Sequence, residues 1–203
     1  HCHVALGAVM VERGGWQRPA TYTSADQEIA RVRVGVGVGD ISPIRKIGLQ
    51  GTGLDVLLTQ ALPSLEPAHV GEVARLAGGG GGAEHVAARL AQDEALVLGL
   101  PREAIAEEPD LCAHVVEITS ALASISVMGP LAQVLLSDVS DLDMSSDSFP
   151  DLRCAQATFA EIHGTLLRLD LGDLPAYQLY FSREFGEYMW EALMEAGEAY
   201  QVT

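Results

Sequence analysis

Ile47-Gly48-Leu49-Gln50-Gly51, followed by Val56-Leu57-Leu58, returns as Ile125-Ser126-Val127-Met128-Gly129, followed by Val134-Leu135-Leu136, at a constant offset of 78 residues. Ahead of these blocks Asp40-Ile41-Ser42 returns as Glu117-Ile118-Thr119, and beyond them Pro101-Arg102-Glu103 returns as Ser182-Arg183-Glu184 at an offset of 81. Each copy reads as an alternating strand, a tight Gly turn and a short apolar helix. A period near 80 residues is too long for a solenoid, whose units run about 20 to 50. The echo therefore predicts a fused pair of small α+β units.

Outward from the echo, Ser24-Ala25-Asp26-Gln27 is a capping-box pattern that predicts a helix to about Val34. Lys46 to Gln50 reads as a strand, Leu54 to Leu62 as a helix stopped by Pro63, and Val70 to Leu76 as a strand. Val86–Leu90 and Ala95–Leu98 read as a hairpin around Gln92-Asp93-Glu94, followed by a short helix over Pro101 to Glu107. In the second copy, Val115 to Ile118 and Ile125 to Met128 read as strands and Pro130 to Leu136 as a helix. Ala155–Ile162 and Thr165–Leu171 read as hairpin arms, and Ala176–Phe181 as the last strand. Ser182 opens a final helix with Phe185, Met189, Leu193 and Ala196 on one face. The fold class expected is α+β, with two tandem ferredoxin-like halves of order β-α-β-β-β-α. The division is residues 1–36 as lead-in and helix, 37–110 as the first half and 111–203 as the second, the halves forming one domain. Residues 1–22 read as an irregular lead-in, 35–39 as a flexible connection, and 138–150 as a polar loop of low order.

Composition narrows the function classes. With 48% hydrophobic and 20% charged residues the chain is globular rather than disordered. Its 28 acidic residues against 12 basic ones give a net charge of −16, which repels phosphate backbones and anionic lipid surfaces and argues against nucleic-acid or membrane binding. No stretch reaches the roughly 18 apolar residues of a membrane span, and no signal-peptide pattern is visible. Cys2, Cys112 and Cys154 are odd in number and widely spaced, as expected of reduced thiols in a cytoplasmic protein.

The motifs that invite chemistry fail one by one. Gly35-Val36-Gly37-Val38-Gly39-Asp40 has Asp where the third Gly of a dinucleotide fingerprint belongs, and it precedes a strand instead of following one. The run Gly78 to Gly82 lacks the Gly-Lys-Ser/Thr ending of a phosphate loop and reads as a mobile loop. His1-Cys2-His3 is the one dense group of metal-ligand side chains and reads as a disordered end; no metal site is expected. His69, His85, His114 and His163 are scattered singly. Residue patterns alone assign no catalytic group.

Gly35 to Gly51, Glu117 to Ser120 with Ala123 to Pro130, and Leu174 to Tyr180 with Trp190-Glu191-Ala192-Leu193 together resemble the aminomethyltransferase superfamily, in order and over nearly the whole chain. That superfamily includes the glycine-cleavage T protein and the folate domains of sarcosine oxidases and dehydrogenases. Gly15-Trp16-Gln17-Arg18-Pro19 and Ala88 to Gly99 are similar to its sarcosine-oxidising branch, best to the small gamma subunit of heterotetrameric sarcosine oxidase. The resemblance implies the T-protein folate-binding fold without the C-terminal barrel of full-length members. It implies tetrahydrofolate as the possible ligand, with Tyr177 stacking on the pterin, Gln178 gripping its edge where the family has Glu, and Gly99 where the family has a folate-contacting Asn. The family's catalytic Asp is missing from Gly82-Ala83-Glu84-His85-Val86, leaving Glu84 as the candidate substitute. The expected role is an accessory subunit without chemistry of its own, binding neither flavin nor metal itself and packed against a larger flavin- and folate-carrying oxidase chain. Trp16, Tyr188 and Trp190 are then candidates for an exposed apolar patch, or for core. The alternatives are a stand-alone folate-binding aminomethyltransferase, or a structural module whose ancestral site is lost.

Overall fold

The computed structural model describes residues 2–67, 69–76, 85–106 and 110–200. In chain order the elements are α1 (Cys2–Ala5), β1 (Val9–Arg13), β2 (Trp16–Thr21), α2 (Ala25–Val32), β3 (Gly37–Asp40), β4 (Lys46–Gln50), α3 (Leu54–Ala61), β5 (Val73–Leu76), β6 (His85–Ala91) and β7 (Glu94–Leu98). The second half supplies β8 (His114–Glu117), β9 (Leu122–Met128), α4 (Ala132–Ser137), β10 (Cys154–Phe159), β11 (Ile162–Arg168), β12 (Ala176–Ser182) and α5 (Gly186–Gly197). Short 3-10 turns at Arg102–Ala104 and Arg183–Phe185 occupy the echoed Arg-Glu positions, and the first of these stands in place of the helix expected over Pro101 to Glu107.

Two antiparallel five-stranded sheets result, in the orders β5-β6-β7-β4-β8 and β10-β11-β12-β9-β3. The orders correspond strand for strand, except that each half lends its leading strand to the other half's sheet. Thus β3 pairs with β9, and β8 pairs with β4. The sequence division at residues 110 and 111 therefore separates the halves along the chain, while sheet membership crosses it. Alternation along each strand sends one set of side chains between the sheets and the other set outward. Val73, Val86, Leu96 and Leu98 meet Cys154, Leu167, Leu169 and Tyr180 between the sheets. Outside, α3 places Leu54, Leu57 and Leu58 over Ile47, Leu49 and Val97, while α4 and α5 place Leu135, Leu136, Met189 and Leu193 over Ile125, Val127 and Tyr177. The molecule is a helix–sheet–sheet–helix stack, the α+β architecture the echo predicts. Among the described residues there is no barrel.

The echoed glycines explain why the turn after the central strand repeats. Gly51 and Gly129 sit at φ +142° and +123°. A Cβ on Gly51 would lie 2.0 Å from the Cys112 carbonyl oxygen, and one on Gly129 2.4 Å from that of Gly35. Each glycine lets the turn abut the backbone just ahead of the strand received from the other half. Matching bonds run from Gly53 N–H to Cys112 O (3.2 Å) and from Leu131 N–H to Gly35 O (3.1 Å).

Several local expectations are corrected. The lead-in is not irregular: β1 and β2 form a hairpin turning at Gly14-Gly15. Gly37–Asp40 is a strand, because pairing with β9 overrides the low strand propensity of its glycines. The 138–150 segment is anchored by buried Met144 and Phe149. The second-half hairpin turns at Ala160-Glu161, both at positive φ, rather than between Ile162 and Thr165. Val73 opens β5, three residues later than expected. The run Gly78 to Gly82 lies outside the described residues.

Two stability outcomes follow. Gly51→Ala and Gly129→Ala should each cost at least ~2 kcal/mol in denaturant unfolding, whereas Gly172→Ala, at φ +64° in open space, should cost about 1 kcal/mol. Replacing Ala160-Glu161 with Asn-Gly, the pair suited to a two-residue hairpin turn, should raise stability by about 1 kcal/mol in the same assay.

Candidate functional site

Buried polar residues, Lys46, Thr119, Ser124 and Ser126, converge where the exchanged strands meet the central ones. Ile41 N–H donates to Ser124 O (3.0 Å) and Ser124 N–H to Ser42 Oγ (3.0 Å). At the equivalent positions of the other half, Ile118 N–H donates to Lys46 O (2.9 Å) and Lys46 N–H to Thr119 Oγ1 (2.9 Å). The echoed Asp-Ile-Ser and Glu-Ile-Thr segments are thus the clasps that hold the exchanged strands. Asp40 Oδ1 also accepts from Ser42 N–H (2.8 Å), and the Thr119 hydroxyl donates to Glu117.

Lys46, the only lysine in the chain, is fully buried in this centre. Its Nζ donates to Ser42 O (2.7 Å) and Ile44 O (3.0 Å) and lies 6.0 Å from the centre of the Tyr180 ring. Burial brings its pKa down to about 8, against the pull of the Asp40 and Glu117 carboxylates toward the charged form. Tyr180 is buried beside it, and its phenol is pushed up by desolvation.

The residues singled out by resemblance fall in different places. Gln178 lies on the inter-sheet face of β12, in register with Ser126, and its Oε1 accepts from the Tyr180 hydroxyl (2.5 Å). Gly99, at φ +82°, follows β7 and donates its N–H to Arg45 O (3.0 Å), one residue from Lys46. Tyr177 faces the other way, into the helix-covered core, 1% exposed, with a hydroxyl that has no hydrogen-bond partner. The structure therefore brings Gln178 and Gly99 to the margins of the polar centre and sends Tyr177 to the opposite face. Glu84 lies outside the described residues. Sequence reasoning missed Lys46 and Asp40; the usable signal was the uniqueness of the lysine and the repeated Asp/Glu-Ile-Ser/Thr triplet.

A concavity of about 360 Å³, which shares Asp40 and Ser42 with this centre, opens between the N-terminal segment and α5. His3, Trp16, Asp40, Arg183, Glu187 and Trp190 line it. His3 is no disordered end: its Nδ1 is 2.7 Å from the Tyr22 hydroxyl, its Nε2 is 3.7 Å from Asp40 Oδ2, and its ring meets Trp190 edge-on at 4.5 Å. Trp190 is core (5% exposed), Trp16 is half-buried and Tyr188 is exposed, so the three aromatics do not form one apolar patch. Among the described residues no group of three or more His, Cys, Asp or Glu side chains is placed to hold a metal ion, and no helix is long and apolar enough to cross a membrane.

Comparison with known proteins places this architecture. Residues 1–203 match the GCVT N-terminal domain family. An aminomethyltransferase of Halothermothrix orenii is 28% identical over 213 residues, covering 96% of this chain and 57% of that protein. Sarcosine oxidase subunit alpha of Rhizobium meliloti is 26% identical over 221 residues, covering 95% of this chain and 22% of its own length. The chain thus spans little more than half of the aminomethyltransferase it matches. The fold is shared with a chain of heterotetrameric sarcosine oxidase from Corynebacterium sp. U-96, at TM-score 0.69 and 22% identity, over 88% of this chain and 93% of that one. It is shared too with the glycine cleavage system aminomethyltransferase T of Bartonella henselae, at TM-score 0.79 and 18% identity, over 100% of this chain and 56% of that one. Matched over its whole length and carrying the duplicated sheets of these relatives, the chain belongs to the GCVT N-terminal domain family.

Proposed function

We infer that the chain is an accessory, gamma-subunit-like unit of folate-linked one-carbon metabolism. It works in the cytoplasm, beside a larger flavin- and folate-carrying oxidase chain in the oxidative demethylation of N-methyl amines, and performs no catalytic step itself. One observation carries this reading. Tyr177 and Gln178, the pair a pterin would need, project from opposite faces of β12. Gln178 Oε1 already accepts from the Tyr180 hydroxyl, and the ring of Tyr177 is sealed in the core. Tyr177 and Gln178 as placed do not face one another across a pterin-sized gap. The likeness to a sarcosine oxidase chain over nearly all of that chain's length supports the same reading.

The likeness to aminomethyltransferases favours a second reading, a stand-alone tetrahydrofolate-binding aminomethyltransferase that uses Gln178 at the pterin edge and Glu84 as acid/base. Calorimetric titration with 5-formyltetrahydrofolate separates the two. The accessory reading expects no saturable binding up to millimolar ligand. Micromolar binding, weakened at least tenfold by Gln178→Ala, would establish the second reading in its place.

A further inference from the structure

A groove of about 520 Å³ lies at the end of β11 and β12. Strand alternation puts Leu122, His163, Thr165 and Ser182 there on the face that elsewhere meets the first sheet. His163 is exposed, so the first sheet does not cover this end. Two carboxylates and one ring stand on the rim, Glu161, Glu184 and Phe185. Glu161 sits in the β10–β11 turn, which is fixed to the neighbouring loop by the bond from Ala160 N–H to Val139 O (2.7 Å). Phe185 is 37% exposed.

From Glu184 the groove runs onto the outer face of α5. Glu184, Glu187, Glu191, Glu195 and Glu198 recur at steps of three and four, the spacing of one helix face, and all are exposed. Tyr188, 47% exposed, falls within the same stripe. Like charges at these spacings repel, and Glu195 and Glu198 stand at the helix end where its dipole disfavours a negative charge. Nothing local offsets this: α5 contains no Lys or Arg, and among the described residues none of the five glutamates is in an ion pair. Arg183, the nearest basic residue in sequence, lies over the Trp16 ring and bonds to Ser120 O.

The occupant follows from shape and charge. Twelve residues of helix carry the stripe about 18 Å beyond the groove, longer than a small molecule reaches. A second copy would bring the same glutamates and a net charge of −16 against them. A polypeptide with alternating basic and apolar side chains matches both features. Its apolar groups fill the groove against Leu122 and Phe185, a guanidinium can lie on the exposed Phe185 ring, and further basic groups meet the glutamates.

We propose that this groove and the glutamate face of α5 that continues it form a docking surface for a basic, apolar segment of a partner protein. The proposal rests on the accessory reading for the partner's role, as the larger chain that would carry such a segment. The chemistry of the segment is set by this face alone.

The intact protein would be titrated into a fluorescently labelled peptide of arginine, leucine and serine, with anisotropy as the readout, at about 0.15 M salt, where charges more than about 8 Å apart are screened. Expected are saturable binding and at least about tenfold weaker binding of a peptide of arginine and serine alone. Phe185→Ser and Glu191→Lys should each weaken binding at least about fivefold. Asp26→Lys makes the same charge change on α2, outside this surface, and should bind as the parent does. If Phe185→Ser unfolds, the exposed Glu191→Lys decides. No saturation, equal binding of the leucine-free peptide, or an equal loss in Asp26→Lys would each overturn the proposal. So would dimers of the protein alone that Phe185→Ser disperses in sedimentation, which would give the surface to a second copy. Absence of both peptide and folate binding would remove this surface and leave the accessory reading standing. Peptide docking beside micromolar folate binding would keep the surface and remove that reading.

Discussion

The structure depends on one buried amino group. Lys46 starts the central strand of one sheet, and its ammonium is held by carbonyls of the segment that joins the exchanged strand β3 to β4. Removing an ammonium from water is expensive unless donors and charges meet it. Here two carbonyls bond to it directly, and the carboxylates of Asp40 and Glu117, one beside each clasp, attract it. Lowering its pKa from 10.5 to about 8 corresponds to a cost on the order of 3 kcal/mol when the group is charged. That cost is partly offset by the two hydrogen bonds the amino group makes. Without the amino group the carbonyls of Ser42 and Ile44 would lose this donor, at about 1 kcal/mol each.

The strand exchange gives the polar centre its meaning. A sheet completed by the other half's leading strand cannot separate without breaking backbone pairing on both sides, so the two halves fold as one body. The same clasps fill the interior between the sheets with the chain's own groups. Ser42, Thr119, Ser124 and Lys46 bond across the exchange, and Gln178 is tied to Tyr180. Beside the β3 clasp a concavity opens between the N-terminal segment and α5, lined by Trp16, Trp190, Asp40 and Glu187.

The halves were legible from the sequence because the echo preserved a backbone requirement, a glycine abutting a foreign strand at positions 51 and 129. The exchange was not legible. Gly37-Val38-Gly39-Asp40 has almost no intrinsic strand preference, and only pairing with β9 makes it one. The 138–150 segment reads as polar because its two anchors, Met144 and Phe149, are spaced too far apart to give a period. For the site, strand alternation already places neighbours such as Tyr177 and Gln178 on opposite faces, a constraint that motif matching ignores. The burial of Lys46 was beyond reach, since it is set by the second sheet and not by its own strand.

Because the unfolded chain holds the Lys46 proton up to about pH 10.5 and the folded one only to about pH 8, folding stability should rise with pH across that window and be level below it. The decisive measurement is direct. With lysine labelled by carbon-13, the protein gives one side-chain spin system, and its Cε shift can be followed from pH 6 to pH 11 by NMR. A midpoint near 8 is the result this account predicts. A midpoint near 10.5 would place the ammonium in solvent and contradict the central role assigned to it.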